Sequence, residues 1–337
     1  MRAWVAKRPG EADVLELVEV PKPTPVEGEI RIRVRALGLN KAEGYNRMGK
    51  HGAFSGGKWA LGIEAAGEVD LDPSGKLARG QKVVTMMGGM MFDRHGSYAE
   101  YVAAKRENVI SISREIDFVT LATLPEAYLT AWGALEKNLG IKPGETLLVR
   151  GGTSSVGMAA IAYAKVRGLE VVATTRQHDR VEKLKALGAD RVLVDDGNLH
   201  EKLRDPYPRG IDKAIELVGA NTIVDTMRAM RKWGEVAFVG FVGGPPVREK
   251  FHFMNDLPNT VKLSFFGSGL LGKPDLPLDE APLDWIADQV AKGAMPSIHA
   301  RTFSYDSLPD AQRYMETNQA FGKIVVSHHH HIPASSK

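Results

Sequence analysis

The chain has 337 residues, 43% of them hydrophobic and 25% charged, and its 44 Lys and Arg against 41 Asp and Glu give a formal net charge of +3. So small a surplus, not gathered into any long basic run, does not indicate a dedicated nucleic-acid surface, because phosphate binding depends on clustered cations. Cysteine is absent, which excludes a disulfide framework, a cysteine nucleophile and a zinc site built on thiolates.

Residues 1–10 lack the apolar stretch of a secretory signal. No run approaches the ~20 apolar residues of a membrane span, so a soluble cytoplasmic protein is expected. The first third reads as β-rich. Over residues 29–36 apolar residues alternate with Arg31, Arg33 and Arg35, which predicts a strand with one buried face and one arginine-bearing, solvated face. Further strands are predicted at 14–20, 64–69, 81–86 and 98–103, joined by Gly- and Pro-containing turns. From 121 to 138 the pattern turns helical, and Lys142-Pro143-Gly144-Glu145 makes a turn.

Strands and helices then alternate. Strands are predicted at 146–149, 170–174, 191–194, 213–218 and 235–240, and helices at 156–167, 179–187 and 221–231, the second of them stopped by Gly188. This alternation implies an α/β fold with a doubly wound parallel sheet. Past residue ~265 the pattern is mixed, with helices at 283–292 and 306–318 and strands at 301–303 and 322–326. A βα-alternating block between β-rich and mixed stretches suggests one domain inserted into another, with boundaries at 1–122, 123–265 and 266–327. Residues 328–337, which begin with four of the ten histidines, read as a disordered tail or an artificial remnant.

The segment Leu147-Leu148-Val149-Arg150-Gly151-Gly152-Thr153-Ser154-Ser155-Val156-Gly157 runs from an apolar strand into a helix. That is the setting of a dinucleotide loop, where small residues admit a pyrophosphate to a helix N-terminus. Ser154 replaces the middle glycine of the usual pattern. The next strand ends in Thr174-Thr175-Arg176, with Arg180 one helical turn on. An acidic residue there would bind an unmodified ribose, whereas hydroxyl and guanidinium groups favour a 2′-phosphate, so NADP is expected over NAD.

Further motifs complete the picture: Gly38-Leu39-Asn40, Gly62-Ile63-Glu64-Ala65-Ala66-Gly67-Glu68-Val69, Gly96-Ser97-Tyr98-Ala99-Glu100-Tyr101-Val102, Leu129-Thr130-Ala131-Trp132, Leu187-Gly188-Ala189-Asp190 and Gly322-Lys323-Ile324-Val325-Val326. With these in order over residues 1 to about 326, the chain resembles a zinc-independent medium-chain dehydrogenase/reductase of the quinone oxidoreductase (zeta-crystallin-like) group. The resemblance implies a GroES-like catalytic domain made from the two chain ends, a Rossmann domain between them, and NADPH in the cleft. It implies hydride transfer to a quinone or an α,β-unsaturated carbonyl. Ser154, Ser155, Val156 and Gly157 would hold the pyrophosphate, and Thr175, Arg176 and Arg180 the adenosine phosphate. Thr130, Val239, Gly240, Phe241, Phe266, Gly267 and Ser268 would lie at the nicotinamide end, with Lys323 a further cofactor candidate.

Zinc-dependent relatives carry a His where this chain has Ile63, and an aliphatic side chain cannot ligate a metal, so no catalytic metal is expected. The family's substrate pocket is matched by Asn40 and Tyr45, with Glu43 in place of the more usual Asp. His51 stands where a second Tyr is usual. Asn40, Tyr45 and His51 are therefore the catalytic candidates: Asn40 and Tyr45 as positioning or polarising groups, with Asn40 also a cofactor-binding candidate at the nicotinamide ribose, and His51 either as a proton donor titrating near neutrality or as a solvent-facing residue of a Gly-rich loop. Met86, Met87, Met90 and Met91 read as core filling or as an adaptable substrate lining. Residues 261–266 resemble the edge strand through which family members form dimers. An enoyl-thioester reductase and a non-catalytic, crystallin-like NADPH-binding protein are the competing readings.

Overall fold

The computed structural model describes residues 1–50, 54 and 57–328. The chain divides into two units, Met1–Glu126 with Gly269–Lys337 and, between them, Ala127–Ser268.

In the first unit β1 (Arg2–Ala6) and β2 (Leu15–Glu19) form an antiparallel ribbon. The strand β3 (Glu29–Gly38) leads into helix α1 (Lys41–Arg47), followed by β4 (Glu64–Leu71), β5 (Lys82–Met86), β6 (Tyr101–Lys105), β7 (Val109–Ser111) and α2 (Phe118–Leu121). The period-two pattern of β3 buries Ile30, Ile32 and Val34 in the core. Of its three arginines Arg33 is exposed as expected, but the other two are not simply solvated: Arg31 bonds Asp70 at 2.6 Å and Arg35 bonds Glu68 at 2.6 Å, both across to β4. Met86, Met90 and Met91 are fully buried, and Met90 and Met91 join the main apolar cluster, so most of the methionine group fills the core.

The 121–138 stretch is not one helix. Pro125 opens α3 (Pro125–Trp132), and a π-helical turn, Gly133–Asn138, follows it. A proline disfavours helical backbone at the residue before it but suits a first helical turn, so the chain leaves helix between α2 and α3.

The second unit continues with β8 (Thr146–Arg150), α4 (Ser155–Val166), β9 (Glu170–Thr175), α5 (Val181–Ala186), β10 (Arg191–Val194), α6 (Leu199–Arg204), β11 (Ile211–Glu216), α7 (Ile223–Arg228), β12 (Met230–Phe238), α8 (Phe253–Asp256) and β13 (Lys262–Phe265). The six strands form one parallel sheet in the order β10-β9-β8-β11-β12-β13, the doubly wound arrangement in which ligands bind at the carboxyl ends of the strands. Helix α6 is absent from the sequence reading. It is six residues long and buries only Leu199 and Leu203, too short a run for periodicity to register.

The chain returns to the first unit with α9 (Leu283–Ala291), β14 (His299–Ser304), α10 (Leu308–Glu316) and β15 (Lys323–Ser327). Its larger sheet runs β14-β15-β3-β4-β5-β7, with β6 also paired to β3. The expected strand at 98–103 begins only at Tyr101, because Tyr98 is held by irregular backbone bonds, from its N–H to Leu61 and to its carbonyl from Trp4.

Candidate active site

In the second unit the loop after β8 turns on Gly151 (φ +91°) and enters α4. Ser154 caps that helix: its Oγ accepts from the Gly157 N–H at 3.1 Å and donates to the Gly151 carbonyl at 2.9 Å. A Cβ on Gly157 would collide with the Gly151 carbonyl and lie 3.0 Å from the Gly152 Cα, so only glycine lets the loop fold onto the helix. The first N–H groups of α4 are left without intrahelical partners, together with the positive end of its dipole. Ser155 and Val156 sit half-buried on this turn.

At the end of β9, Thr174 is buried and its Oγ1 accepts from the Gly151 N–H at 3.1 Å. Thr175 is buried, its Oγ1 accepting from the Gln177 N–H at 3.1 Å. Arg176 is exposed, and Arg180 is half-buried at the start of α5. Val239, Gly240 and Phe241 lie beyond β12 and are half-buried, the first two donating to the Glu216 carbonyl at 2.9 and 3.2 Å. Phe266 is buried with its ring end against Gly133, while Gly267 and Ser268 are half-buried. Thr130 is buried on α3.

Beneath the same strand ends lies an ionic cluster that sequence reasoning missed. The Arg150 side chain, 0% exposed, donates from Nε and Nη2 to the two Asp195 oxygens at 2.7 and 2.8 Å. Its Nη1 reaches Asp225 at 2.6 Å, Thr226 at 3.0 Å and the Thr222 carbonyl at 3.1 Å. Glu216 is fully buried beside it. Its carboxyl accepts from the Val218 and Gly219 N–H groups and the Thr222 and Thr226 hydroxyls. Burial drives the Glu216 pKa up against those bonds. Burial also pulls on Arg150, but the surrounding carboxylates outweigh it and raise its pKa.

In the first unit Asn40 sits between β3 and α1, and every polar atom of its side chain is engaged. Its Oδ1 accepts from Lys323 at 2.6 Å, and its Nδ2 donates to Glu64 at 2.8 Å and Glu43 at 3.3 Å. Lys323 also pairs with Glu64 at 2.5 Å, with both side chains 1% exposed or less. Glu43 reaches back to the N–H of Asn40, at 2.9 Å, to close the first turn of α1. It also accepts from the Ile63 N–H at 3.0 Å and the Tyr98 hydroxyl at 2.7 Å. Tyr98 is held in turn by Gln312, which bonds Arg47. Burial raises the Glu43 pKa to about 7 despite those donors, and pushes Tyr98 well above its ordinary value. Tyr45 is half-buried on α1. His51 lies outside the described residues.

Comparison with known proteins places this arrangement. Residues 26–114 match the family described as alcohol dehydrogenase GroES-like domain, and residues 155–279 the family described as zinc-binding dehydrogenase. The chain is a medium-chain dehydrogenase/reductase. It combines the GroES-like domain and the parallel-sheet Rossmann domain of that family, a pyridine-nucleotide-binding fold. A 2-methylene-furan-3-one reductase of Solanum lycopersicum is 29% identical over 99% of this chain and 80% of its own length. A phenolphthiocerol/phthiocerol polyketide synthase subunit of Mycobacterium tuberculosis is 27% identical over 95% of this chain, which spans only 14% of that protein. Among solved structures, the quinone oxidoreductase of Coxiella burnetii superposes with a TM-score of 0.80 at 25% identity, covering 98% of this chain and 99% of its own. A structure described as an NAD-dependent alcohol dehydrogenase gives 0.84 at 26%, covering 97% and 99%.

The residues of this medium-chain dehydrogenase/reductase fit a dinucleotide: the collision at Gly157 marks a loop drawn tight against the N-terminus of its helix, where the positive end of the helix dipole lies. At the position of the zinc-binding His stands Ile63, buried at 3% exposure, and among the described residues no group of three His, Cys, Asp or Glu side chains is placed to hold a metal ion. No helix among the described residues is long and apolar enough to cross a membrane. Among the residues that sequence reasoning missed are Arg150, Asp195, Glu216, Asp225, Tyr98 and Gln312 as members of buried networks. The one local signal was an arginine closing an otherwise apolar strand.

Proposed function

We propose that the chain is an NADPH-dependent reductase that delivers hydride to a quinone or an α,β-unsaturated carbonyl without a catalytic metal. The observation that carries this reading is the pair of substitutions at the two diagnostic places: Thr175 and Arg176 where an NAD site carries a carboxylate, and Ile63 where a zinc site carries its His. Relatives named as a 2-methylene-furan-3-one reductase and a quinone oxidoreductase support the acceptor class. The cofactor, when bound, supplies the hydride. The loop from Ser154 to Gly157 would receive the pyrophosphate, and Thr175, Arg176 and Arg180 the 2′-phosphate. Thr130, Val239, Gly240, Phe241, Phe266, Gly267 and Ser268 would flank the nicotinamide. Without a Lewis acid, an acceptor whose developing charge is already delocalised is favoured. Tyr45 would donate a hydrogen bond to the developing oxyanion and His51 a proton. Asn40 and Lys323, fully engaged with Glu43 and Glu64, act in this reading as the frame that holds α1 and Tyr45 in place.

The test is NADPH oxidation, followed by absorbance, with a naphthoquinone and with an enal. Turnover with either is expected, and tight NADPH binding with turnover of neither acceptor would overturn the proposal. For the cofactor, Arg176→Ala is expected to weaken NADPH binding about tenfold, the loss of one charge-assisted phosphate contact, and to leave NADH nearly unchanged. Equal loss for both would remove the 2′-phosphate assignment. The chain-long match to a polyketide synthase subunit favours one second reading, an enoyl-thioester reductase, which activity on a crotonyl thioester and none on quinones would select. We further propose a cytoplasmic homodimer formed through β13, an unpaired sheet edge with Phe265 70% exposed. Phe265→Lys is expected to give a monomer in size-exclusion chromatography.

A further inference from the structure

Arg150 closes β8 immediately before the glycine loop, and its guanidinium is spent on two carboxylates. The first matters most for a nucleotide. Asp195 follows β10, and its N–H donates to the Thr175 carbonyl at 2.8 Å, so it stands beside the strand end that carries the phosphate-binding candidates. Both Asp195 oxygens are turned onto Arg150 in a two-point clamp, the geometry in which a guanidinium fixes a carboxylate most firmly. The clamp is held from behind: Arg150 also engages Asp225, Thr226 and the Thr222 carbonyl. It therefore cannot swing away without giving up all of these bonds at once.

We propose that Arg150 is a positioning residue that determines cofactor specificity, by holding the Asp195 carboxylate on its own guanidinium across the end of β9 and cancelling its charge there. This rests on the NADP reading above. With Asp195 so held, and Asp196 beside it paired with Lys202 at 2.7 Å, both carboxylates that follow the neighbouring strand are matched by cations within the fold, while the end of β9 presents Thr175, Arg176 and Arg180. With Arg150 gone, Asp195 would sit as a carboxylate next to the place where a 2′-phosphate must bind, and like charges at that range discriminate strongly. The chain thus reads a 2′-phosphate with the arginines that would touch it and with one that touches only the protein.

The experiment is equilibrium titration of the full chain with 2′,5′-ADP and with 5′-AMP, fragments that differ only in the 2′-phosphate, alongside thermal unfolding without ligand. Arg150→Met is expected to weaken 2′,5′-ADP about tenfold or more while 5′-AMP changes about threefold at most. Adding Asp195→Asn to that variant restores the preference, because the carboxylate and not the lost packing is what repels. An equal loss on both fragments would reduce Arg150 to a structural part, and failure of Asp195→Asn to restore the preference would overturn the proposal as well. Should Arg150→Met not fold, Asp195→Asn alone reads the same point: its preference for 2′,5′-ADP stays at or above that of the parent, and a fall overturns the proposal. A parent chain that binds both fragments equally would sink the NADP reading itself. A parent preference that survives unchanged in Arg150→Met sinks only the role given to Arg150.

Discussion

Each unit buries an ionic cluster, and the two are built differently. In the β-rich unit a single ammonium, Lys323, meets Glu64 at 2.5 Å and Asn40 at 2.6 Å, with Glu43 a second carboxyl in the same network. In the parallel-sheet unit a guanidinium spreads over Asp195, Asp225, Thr226 and a backbone carbonyl. Lysine gives a point charge whose removal strands its partner, whereas the arginine fork ties together the ends of three elements that keep other donors of their own. The two clusters should therefore fail to different degrees when their cation is removed.

The largest effect is expected at Lys323. In Lys323→Met, Glu64 at 0% exposure keeps, among the described residues, the Asn40 amide and the Glu126 N–H, and stranding a buried carboxylate costs about 3–5 kcal/mol. Arg150→Met should cost less, about 2–3 kcal/mol. Asp225 keeps the Leu199 N–H and His200, and Asp195 keeps the Gly197 N–H. Urea denaturation of both variants ranks them, and a larger loss for Arg150→Met would reverse the comparison.

Glu43 sharpens the comparison by pH. Its folded pKa of about 7 lies above the ordinary 4.5, so between those values the folded chain holds a proton that the unfolded chain has released. Stability from this group is present below pH 4.5 and falls as pH rises toward 7, by about 3 kcal/mol in all. Glu43→Gln cannot titrate and loses that slope. Measured from pH 5 to pH 8, the variant should gain on the parent by about 2–3 kcal/mol. Parallel stability curves would show that the four donors around Glu43, and not its burial, govern its protonation.

These clusters also mark where the sequence stops being readable. The period-two face of β3, the βα alternation and the strand–glycine–helix turn are local patterns, and they yield the α/β class, the inserted parallel sheet and the nucleotide loop. Pro125 was a local signal too, and its break of the 121–138 helix was there to be read. The clusters are not local. Arg150 lies 45 residues from Asp195 and 75 from Asp225, and Lys323 lies 283 from Asn40. Nothing in residue spacing joins them, since only the closed sheets bring strand ends from distant segments side by side. Asn40 shows the consequence for the site: its position is legible from a motif, but the engagement of its whole amide inside the fold is not.

The smallest effect belongs to a neutral group and serves as the reference for both clusters. Ser154 carries no charge, and among the described residues its hydroxyl meets the Gly157 N–H and the Gly151 carbonyl. Ser154→Ala removes the α4 cap and should lower stability by about 1 kcal/mol. Because no proton or counter-charge is involved, that loss should be the same at pH 5 and pH 8 and the same at low and high salt. The ionic variants, by contrast, are tied to protonation through Glu43 and Glu216, both shifted upward by burial. If Ser154→Ala varied with pH as strongly as Glu43→Gln, the pH dependence would have to arise in the unfolded chain, and the assignment of the slope to Glu43 would fail with it.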